Sequence, residues 1–185
     1  MTHRPRIVVA ALLLAALTLT GCGSDGGGSG SATDHNDADV QFAQMMIPHH
    51  QQAVEMSKLV LQADGIDPAV TMVAKGIKAA QAPEIELMQG WLQQWGAEVD
   101  EMDGMHGMGG DGMLSDDDMS KLGRAEGDEL STLFLEGMIG HHRGAIEMAR
   151  HELDAGSSSD ARKLASQIID SQEAEIKLMR DLLGT

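Results

Sequence analysis

The chain has 185 residues, a formal net charge of −16 at pH 7, no tyrosine, two phenylalanines and two tryptophans. So acidic a surface repels nucleic acid and anionic lipid headgroups but attracts cations. With so few aromatic residues, there is little on which bases or sugars could stack. We therefore expect no nucleic-acid partner. The 14 methionines exceed the number that gap filling in a core of this size requires.

The first 21 residues have the pattern of a lipoprotein-type signal peptide. Two arginines precede an apolar run over residues 7–19, which is too short to anchor the chain stably across a bilayer. Leu19-Thr20-Gly21-Cys22 resembles a bacterial lipobox, and the resemblance implies cleavage before Cys22 and a lipid on its sulfur. The alternatives are an uncleaved anchor and an ordinary signal peptide. We expect a lipid-anchored protein on the extracytoplasmic face of the cell membrane.

The remaining chain divides into a tether and one domain. Residues 22–36 are rich in glycine and serine and predict a flexible tether. Residues 37–185 are long enough for a single domain with a core. Within this domain, capping signals predict helices over about 37–63 and 68–96. A methionine-rich crossover then occupies residues 100–119, near whose end Ser115 opens a short helix.

Two pairs of segments repeat within the domain. Residues 42–56 and 134–148 carry the same order of Phe, Met, Ile, His-His, Ala, Glu and Met, offset by 92 positions. Residues 77–88 return as residues 168–179, offset by 91. The duplicated unit is therefore a helical hairpin, because each repeat contains two periodic segments joined by a short turn. Two such hairpins predict an all-α four-helix bundle.

The repeated His-His pairs lie on the apolar face of their predicted helices, which directs four imidazoles toward the interior: His49, His50, His141 and His142. A buried neutral imidazole still needs polar partners. Histidine is also the commonest metal ligand. We predict that the four bind a metal ion; the alternative is a polar layer held by hydrogen bonds to Gln and Glu.

The second helix of each hairpin carries further candidates on one face. Glu84 and Glu175 occupy equivalent positions among apolar residues, where an unpaired carboxylate is costly. They are predicted either to bind the metal or to accept the outer imidazole N–H. One turn later, Met88 and Met179 complete the predicted set.

Met46 and Met138 indicate which metal is preferred. Each stands three residues before the first histidine of its pair, where di-iron bundles place a glutamate. A thioether at that position favours Cu(I) or Ag(I), and iron is the less favoured ion. The alternative is that these methionines only fill the core.

The crossover offers a second set of soft ligands in a glycine-rich segment, which we predict to be a weak, exchangeable copper site: Met102, Met105, His106, Met108 and Met113. Its glycine content also fits a low-complexity linker without a metal.

The paired Met-Ile-x-His-His-x-x-Ala-(Val/Ile)-Glu-Met motifs, each followed by Gln-x-x-Glu-Ile-x-x-Met, resemble the family called domain of unknown function 305. The resemblance covers about residues 37–184. It implies a ferritin-like four-helix fold in exported bacterial proteins, some of which are associated with copper.

These features together predict an exported protein that sequesters or buffers copper, or silver, at the cell surface. One alternative is a ferritin-like metalloenzyme that oxidises Cu(I) or Fe(II). A second is an interaction domain without metal. We assign no catalytic residue and no organic cofactor, and a homo-oligomer is compatible with the sequence.

Overall fold

The computed structural model describes residues 35–98 and 112–184. Within these ranges the chain is helical and contains no strand: α1 (Asp37–Gln62), α2 (Pro68–Trp95), α3 (Asp116–Leu122), α4 (Gly127–Ala155) and α5 (Ser159–Leu183). The predicted all-α fold is confirmed, and the ends predicted for α1 and α2 differ from the observed ends by one residue. None of the helices in the described ranges is long and apolar enough to cross a membrane.

Local capping explains where the helices begin. The Asn36 side chain accepts hydrogen bonds from the N–H groups of Ala38 and Asp39, while Asp39 accepts one from the Asn36 N–H at 2.6 Å. Asp67 caps α2, whose first residue is Pro68. Ser115 caps α3 as predicted, by accepting from the Asp118 N–H. Such side chains satisfy N–H groups that lack a partner within the helix.

The four long helices form two hairpins, α1 with α2 and α4 with α5. The hairpins join mainly through α1 and α4, whereas α2 and α5 contact each other little. The helices that carry the His-His pairs are therefore the central pair of the bundle, and those that carry Glu84 and Glu175 lie outside them.

The apolar core consists of two clusters. The first includes Phe42, Met46 and Met88, and the second includes Met138 and Met179. Along α1 the first cluster ends at residue 47 and the second begins at residue 53. The His-His pair of α1 therefore lies at the boundary between the two clusters.

The start of α1 is bound to the turn between α4 and α5. The Asp39 carboxylate accepts hydrogen bonds from the N–H groups of Ser157 at 3.2 Å and Ser158 at 2.9 Å. The Asn36 amide donates to the Ala155 carbonyl at 2.8 Å. Asp39 is fully buried, so these bonds fix the ends of the two hairpins relative to each other.

Candidate metal centre

The four predicted histidines lie together inside the bundle. His49 and His50 of α1 and His141 and His142 of α4 are all at most 1% exposed. The rings of His49 and His141 have centroids 3.7 Å apart. We call these four side chains the histidine layer. Adjacent residues of a helix are about 100° apart, and the apolar face of each central helix is broad enough to include both. Both histidines of each pair therefore face the interior.

Two equivalent hydrogen bonds connect the histidine layer to the outer helices. Nε2 of His50 lies 2.8 Å from a carboxylate oxygen of Glu84, and Nε2 of His142 lies 2.6 Å from one of Glu175. The glutamate side chains are 21% and 26% exposed, whereas both imidazoles are fully buried. Each carboxylate therefore holds its imidazole from the solvent side and accepts the Nε2–H.

The opposite nitrogens of these rings have no such partner. Nδ1 of His50 and Nδ1 of His142 are buried and make no hydrogen bond within the described chain. Neither ring nitrogen of His141 makes a hydrogen bond of normal geometry there. Buried polar atoms without a partner are costly and uncommon. With Nε2 carrying the proton toward Glu84 or Glu175, each Nδ1 presents a lone pair, which is what a metal requires.

The electrostatics of the layer keep His141 neutral. Burial lowers the pKa of His141 well below its ordinary value of 6.5, and the neighbouring His49, His142 and His50 lower it further. An imidazolium at this position would lack water and would face other potential cations. Since only a neutral imidazole binds metal, the environment holds the side chain in its ligand form at neutral pH.

The four predicted thioether ligands are fully buried: Met46, Met88, Met138 and Met179. The structure places Met46 with Met88 in the first apolar cluster and Met138 with Met179 in the second. Soft donors thus occur in the clusters on both sides of the histidine layer. Membership of an apolar cluster is equally what a core methionine shows, so their role as ligands stays a prediction.

The imidazole and carboxylate side chains of this region do not by themselves form a metal-binding site. Across residues 35–98 and 112–184, no three His, Cys, Asp or Glu side chains are arranged so that they could hold a metal ion. Two further polar side chains of the repeat, Gln81 and Gln172, are 3% exposed, and their Oε1 atoms have no hydrogen-bond partner in the same ranges. The donor set near the layer is therefore imidazole, thioether and amide oxygen.

The end of the crossover is attached directly beside the histidine layer. The Gln52 amide donates to the Leu114 carbonyl at 3.0 Å and accepts from the Leu114 N–H at 2.8 Å. Gly112 has φ +81°, and a Cβ there would lie 2.5 Å from the Gly140 carbonyl oxygen. Only glycine fits that conformation and that approach. Met113 lies between these two attachments, next to the helical turns that carry the histidines.

The sequence patterns did not indicate these attachments, because Gln52 lies on the polar side of the α1 wheel. The remaining crossover candidates, Met102, Met105, His106 and Met108, lie outside the described residues, as do the predicted signal peptide and Cys22.

The fold and the site together define a four-helix bundle built from two duplicated hairpins, with paired buried histidines on its two central helices. The chain belongs to the family described as domain of unknown function, DUF305, which matches residues 39–183. No curated protein matches this chain.

Solved structures that are similar to this chain have the same fold. A presumed secreted DUF305 protein from Streptomyces coelicolor is 39% identical, with a TM-score of 0.73 over 80% of this chain and 91% of that one. A DUF305 fragment from Deinococcus radiodurans is 30% identical, with a TM-score of 0.74 over 80% and 97%. CopM in its Cu(II)-bound form is 34% identical, with a TM-score of 0.69 over 78% and 94%. CopM structures also exist in Cu(I)-bound and Ag-bound forms.

Proposed function

We propose that this protein binds Cu(I) in its histidine layer and sequesters or buffers copper outside the cytoplasm. The observation that carries the proposal is the pair of equivalent His–Glu hydrogen bonds, at 2.8 and 2.6 Å, combined with a buried Nδ1 on His50 and on His142 that makes no hydrogen bond within the described chain. A purely structural histidine layer would be expected to use both nitrogens of each ring.

In this proposal, His50 and His142 bind the metal through Nδ1, and Glu84 and Glu175 orient them. A carboxylate that accepts the outer N–H fixes the tautomer of a ligating histidine and makes it more basic. His49 and His141 are the further imidazole candidates. Within the described ranges no three His, Cys, Asp or Glu side chains are already arranged around a metal, so thioether sulfur would complete the coordination. The proposal gives the glutamates an orienting role and not a ligand role, and their contacts to Nε2, on side chains 21% and 26% exposed, support it.

Thioether donors set the preference for a soft ion. Met46 and Met138 are the nearest in sequence to the histidines, and Met88 and Met179 lie with them in the two clusters. Sulfur and imidazole together favour Cu(I) and Ag(I) over iron. The relative CopM has been crystallised with Cu(I), Cu(II) and Ag, which supports the same class of ion here.

The proposed location follows from the N-terminal sequence. Residues 1–21 direct export, Cys22 carries the lipid, and residues 22–36 connect the bundle to the membrane. The presumed secreted relative supports an extracytoplasmic site of action. The crossover thioethers would bind copper with lower affinity than the histidine layer. Met113, which lies between the attached residues Gly112 and Leu114, would be the crossover thioether nearest the bundle.

Anaerobic Cu(I) titration against a competing chelator, with elemental analysis of the purified protein, tests this proposal. The double variant His49→Ala/His141→Ala should lose the tightest site and keep its helical circular dichroism. His35→Ala removes an imidazole that stacks on Trp95 outside the layer and should leave the tightest site intact. Unchanged binding by the double variant would refute the proposal. Oxygen uptake with excess Cu(I) or Fe(II) would instead identify an oxidase.

A further inference from the structure

A group of soft side chains separate from the histidine layer lines a surface groove between α1 and α4. The groove has a volume of about 260 Å³ and is bordered by two methionines, one histidine and one glutamate, together with Gln41 and Phe42: Met45, Glu147, Met148 and His151. Met45 and Met148 are partly exposed, and His151 is exposed. Both thioethers and the imidazole are therefore accessible to an ion from solvent.

The internal duplication did not produce this group. At the offset of 92, the counterpart of Met45 is Gly137 and the counterpart of His151 is Leu59. Only Met148 has a methionine as its counterpart, and that residue, Met56, is fully buried. The groove thus takes Met45 from the first hairpin and Met148 and His151 from the second, and the positions related to them by the duplication carry no accessible soft donor.

The duplication-related side of the α1–α4 interface is bordered by different side chains. A Cβ on Gly137 would lie 3.3 Å from both the Leu114 side chain and the Met56 methyl group. Leu114 comes from the end of the crossover, where the Gln52 amide holds its backbone. The duplication-related side is thus bordered by leucine and a buried methionine, whereas the groove at Met45 and His151 is bordered by accessible sulfur and imidazole.

The overall charge of the protein, −16, attracts cations to its surface. The Glu147 carboxylate at the rim of the groove is paired with the Arg150 guanidinium at 2.6 Å, so its charge is largely offset and the soft donors carry the inference. Two thioethers and one imidazole form a donor set for a soft monovalent ion, and methionine is flexible enough to adapt to its coordination geometry.

We infer that Met45, Met148 and His151 form a second, surface site for Cu(I) or Ag(I). The inference rests on the proposed function for the class of ion, but it uses none of the residues of the histidine layer. Phe42 lines the groove and also packs in the first apolar cluster with Met46. The surface site thus lies on the outer side of the first apolar cluster, which contains the buried thioethers of Met46 and Met88.

Ag(I) titration of the metal-free full chain, labelled with ¹³C at the methionine methyl groups, tests the inference. Ag(I) is neither oxidised nor reduced under these conditions. Each labelled methionine methyl group gives its own NMR resonance, which shifts when Ag(I) binds to its sulfur. The resonances of Met45 and Met148 are assigned from Met45→Leu and Met148→Leu, which keep the side-chain volume and remove the sulfur. Both resonances should shift together and follow a single binding curve.

The double variant Met45→Leu/Met148→Leu should bind one Ag(I) fewer than the parent chain, and His151→Asn should weaken the same site at least tenfold. Met72→Leu is the matched control, because Met72 is 67% exposed and lies outside the groove; it should leave the stoichiometry unchanged. Resonances of Met45 and Met148 that do not move, or a double variant with the parent stoichiometry, would overturn the inference.

The His49→Ala/His141→Ala variant separates this site from the histidine layer. If both sites exist, it loses the interior ion and keeps the shifts of Met45 and Met148. Retained groove shifts with no change in interior binding would refute the proposed function and support the surface site. Loss of the groove shifts in this variant would show that the groove does not bind independently and would overturn the inference.

Discussion

His49 and His141 occupy equivalent positions of the two hairpins and lie with their ring centroids 3.7 Å apart at the centre of the bundle. Two buried imidazoles at this distance disfavour a positive charge on either ring, which is one reason why the pKa of His141 is lowered. His141, whose ring nitrogens make no hydrogen bond of normal geometry within the described chain, costs stability in the metal-free protein unless it binds a metal. Stability and metal binding should therefore respond in opposite directions to removal of an imidazole.

Replacing His141 with leucine tests this opposition. The substitution removes two ring nitrogens that make no normal hydrogen bond within the described chain and leaves an apolar side chain of similar size. We expect the metal-free protein to gain about 1 kcal/mol in free energy of unfolding, because an unsatisfied buried polar group costs about 1–3 kcal/mol. The same variant should lose the stabilisation by Cu(I), about 2.7 kcal/mol at a hundredfold excess over the dissociation constant.

Urea denaturation with and without Cu(I) measures both effects. His35→Leu is the control, since it makes the same chemical change outside the histidine layer, and it should keep the full stabilisation by Cu(I). A His141→Leu protein that is less stable without metal and still gains stability from Cu(I) would show that His141 has a packing role only.

Glutamine at position 84 distinguishes an orienting carboxylate from a ligand. Glu84→Gln keeps an oxygen that accepts the His50 Nε2–H, seen at 2.8 Å, but removes the negative charge. We expect the affinity for Cu(I) to fall by about 10- to 100-fold, as for other residues that orient metal ligands. Glu86→Gln makes the same charge change at an exposed position of α2.

X-ray absorption spectra of the Cu(I) forms should show the same nitrogen and sulfur neighbours in Glu84→Gln as in the parent chain. A loss of oxygen scattering, with affinity otherwise as predicted, would identify Glu84 as a direct ligand. If Glu86→Gln weakened binding equally, the effect would be due to net charge alone.

Much of the fold could be predicted from local signals, because the caps at Asp67 and Ser115 and the apolar periodicity act over a few residues. The internal duplication then placed the histidine pairs on equivalent faces. The sequence left the role of Glu84 open, and the structure adds its contact with Nε2 of His50. That contact depends on the rotation of α2 against α1, which the pattern of either helix alone does not determine.

The attachment of Leu114 to Gln52 could not be predicted for a related reason. The two residues are 62 positions apart, and a polar glutamine on a helix usually faces solvent. The same applies to the groove bordered by Met45 and His151, because it forms only when α1 packs against α4. Pairings between distant segments therefore account for what the sequence patterns missed.

Gln52→Ala should release the end of the crossover. The variant loses two hydrogen bonds to the Leu114 backbone, at 3.0 and 2.8 Å, which together contribute about 1–2 kcal/mol. We expect faster amide exchange and faster proteolysis around residues 112–115, with the helical bundle retained. Gln51→Ala is the matched control, because Gln51 is exposed. Equal protection of residues 112–115 in both variants would show that the Gln52 amide does not hold the crossover.

Deleting residues 102–111 separates the two predicted classes of copper site while keeping Gly112 and the Leu114 attachment. The deletion removes Met102, Met105, His106 and Met108 and should lower the total Cu(I) bound without changing the tightest dissociation constant. The measurement is a chelator competition over a wide range of free Cu(I). Loss of the tightest site on deletion would place the principal site in the crossover and not in the histidine layer.

Two carboxyl groups at the end of the bundle, those of Asp39 and Glu152, are fully buried. Burial alone raises the pKa of Asp39, but hydrogen bonds from Asn36, Glu152, Ser158 and Ser157 outweigh this and lower it below 3.8. Burial raises the pKa of Glu152 to about 8; the hydrogen bond to Asp39 and the Asp39 charge add to the rise, while Arg162 opposes it. Glu152 therefore carries the proton that it shares with an ionised Asp39.

The sign of the pH dependence follows from the raised pKa of Glu152. Its contribution to stability is fully present below the ordinary value of 4.5 and is lost as pH rises through about 8. Between these values the unfolded state releases a proton that the folded state keeps, so stability falls by at most about 1.4 kcal/mol per pH unit. The lowered pKa of His141 acts in the opposite direction, because acid favours the unfolded state, in which its imidazole can be protonated.

Glu152→Gln isolates the contribution of the carboxyl pair, because a glutamine amide can still donate to Asp39 but does not titrate. Between pH 5 and 8, the metal-free variant should gain stability relative to the parent chain as pH rises, and the two should be closest near pH 5. Glu129→Gln, at an exposed position of the same helix, should run parallel to the parent chain throughout. Urea denaturation at half-unit pH intervals measures the three curves. Parallel curves for Glu152→Gln and the parent would mean that Glu152 is ionised in the folded state, and the shared proton would have to be rejected.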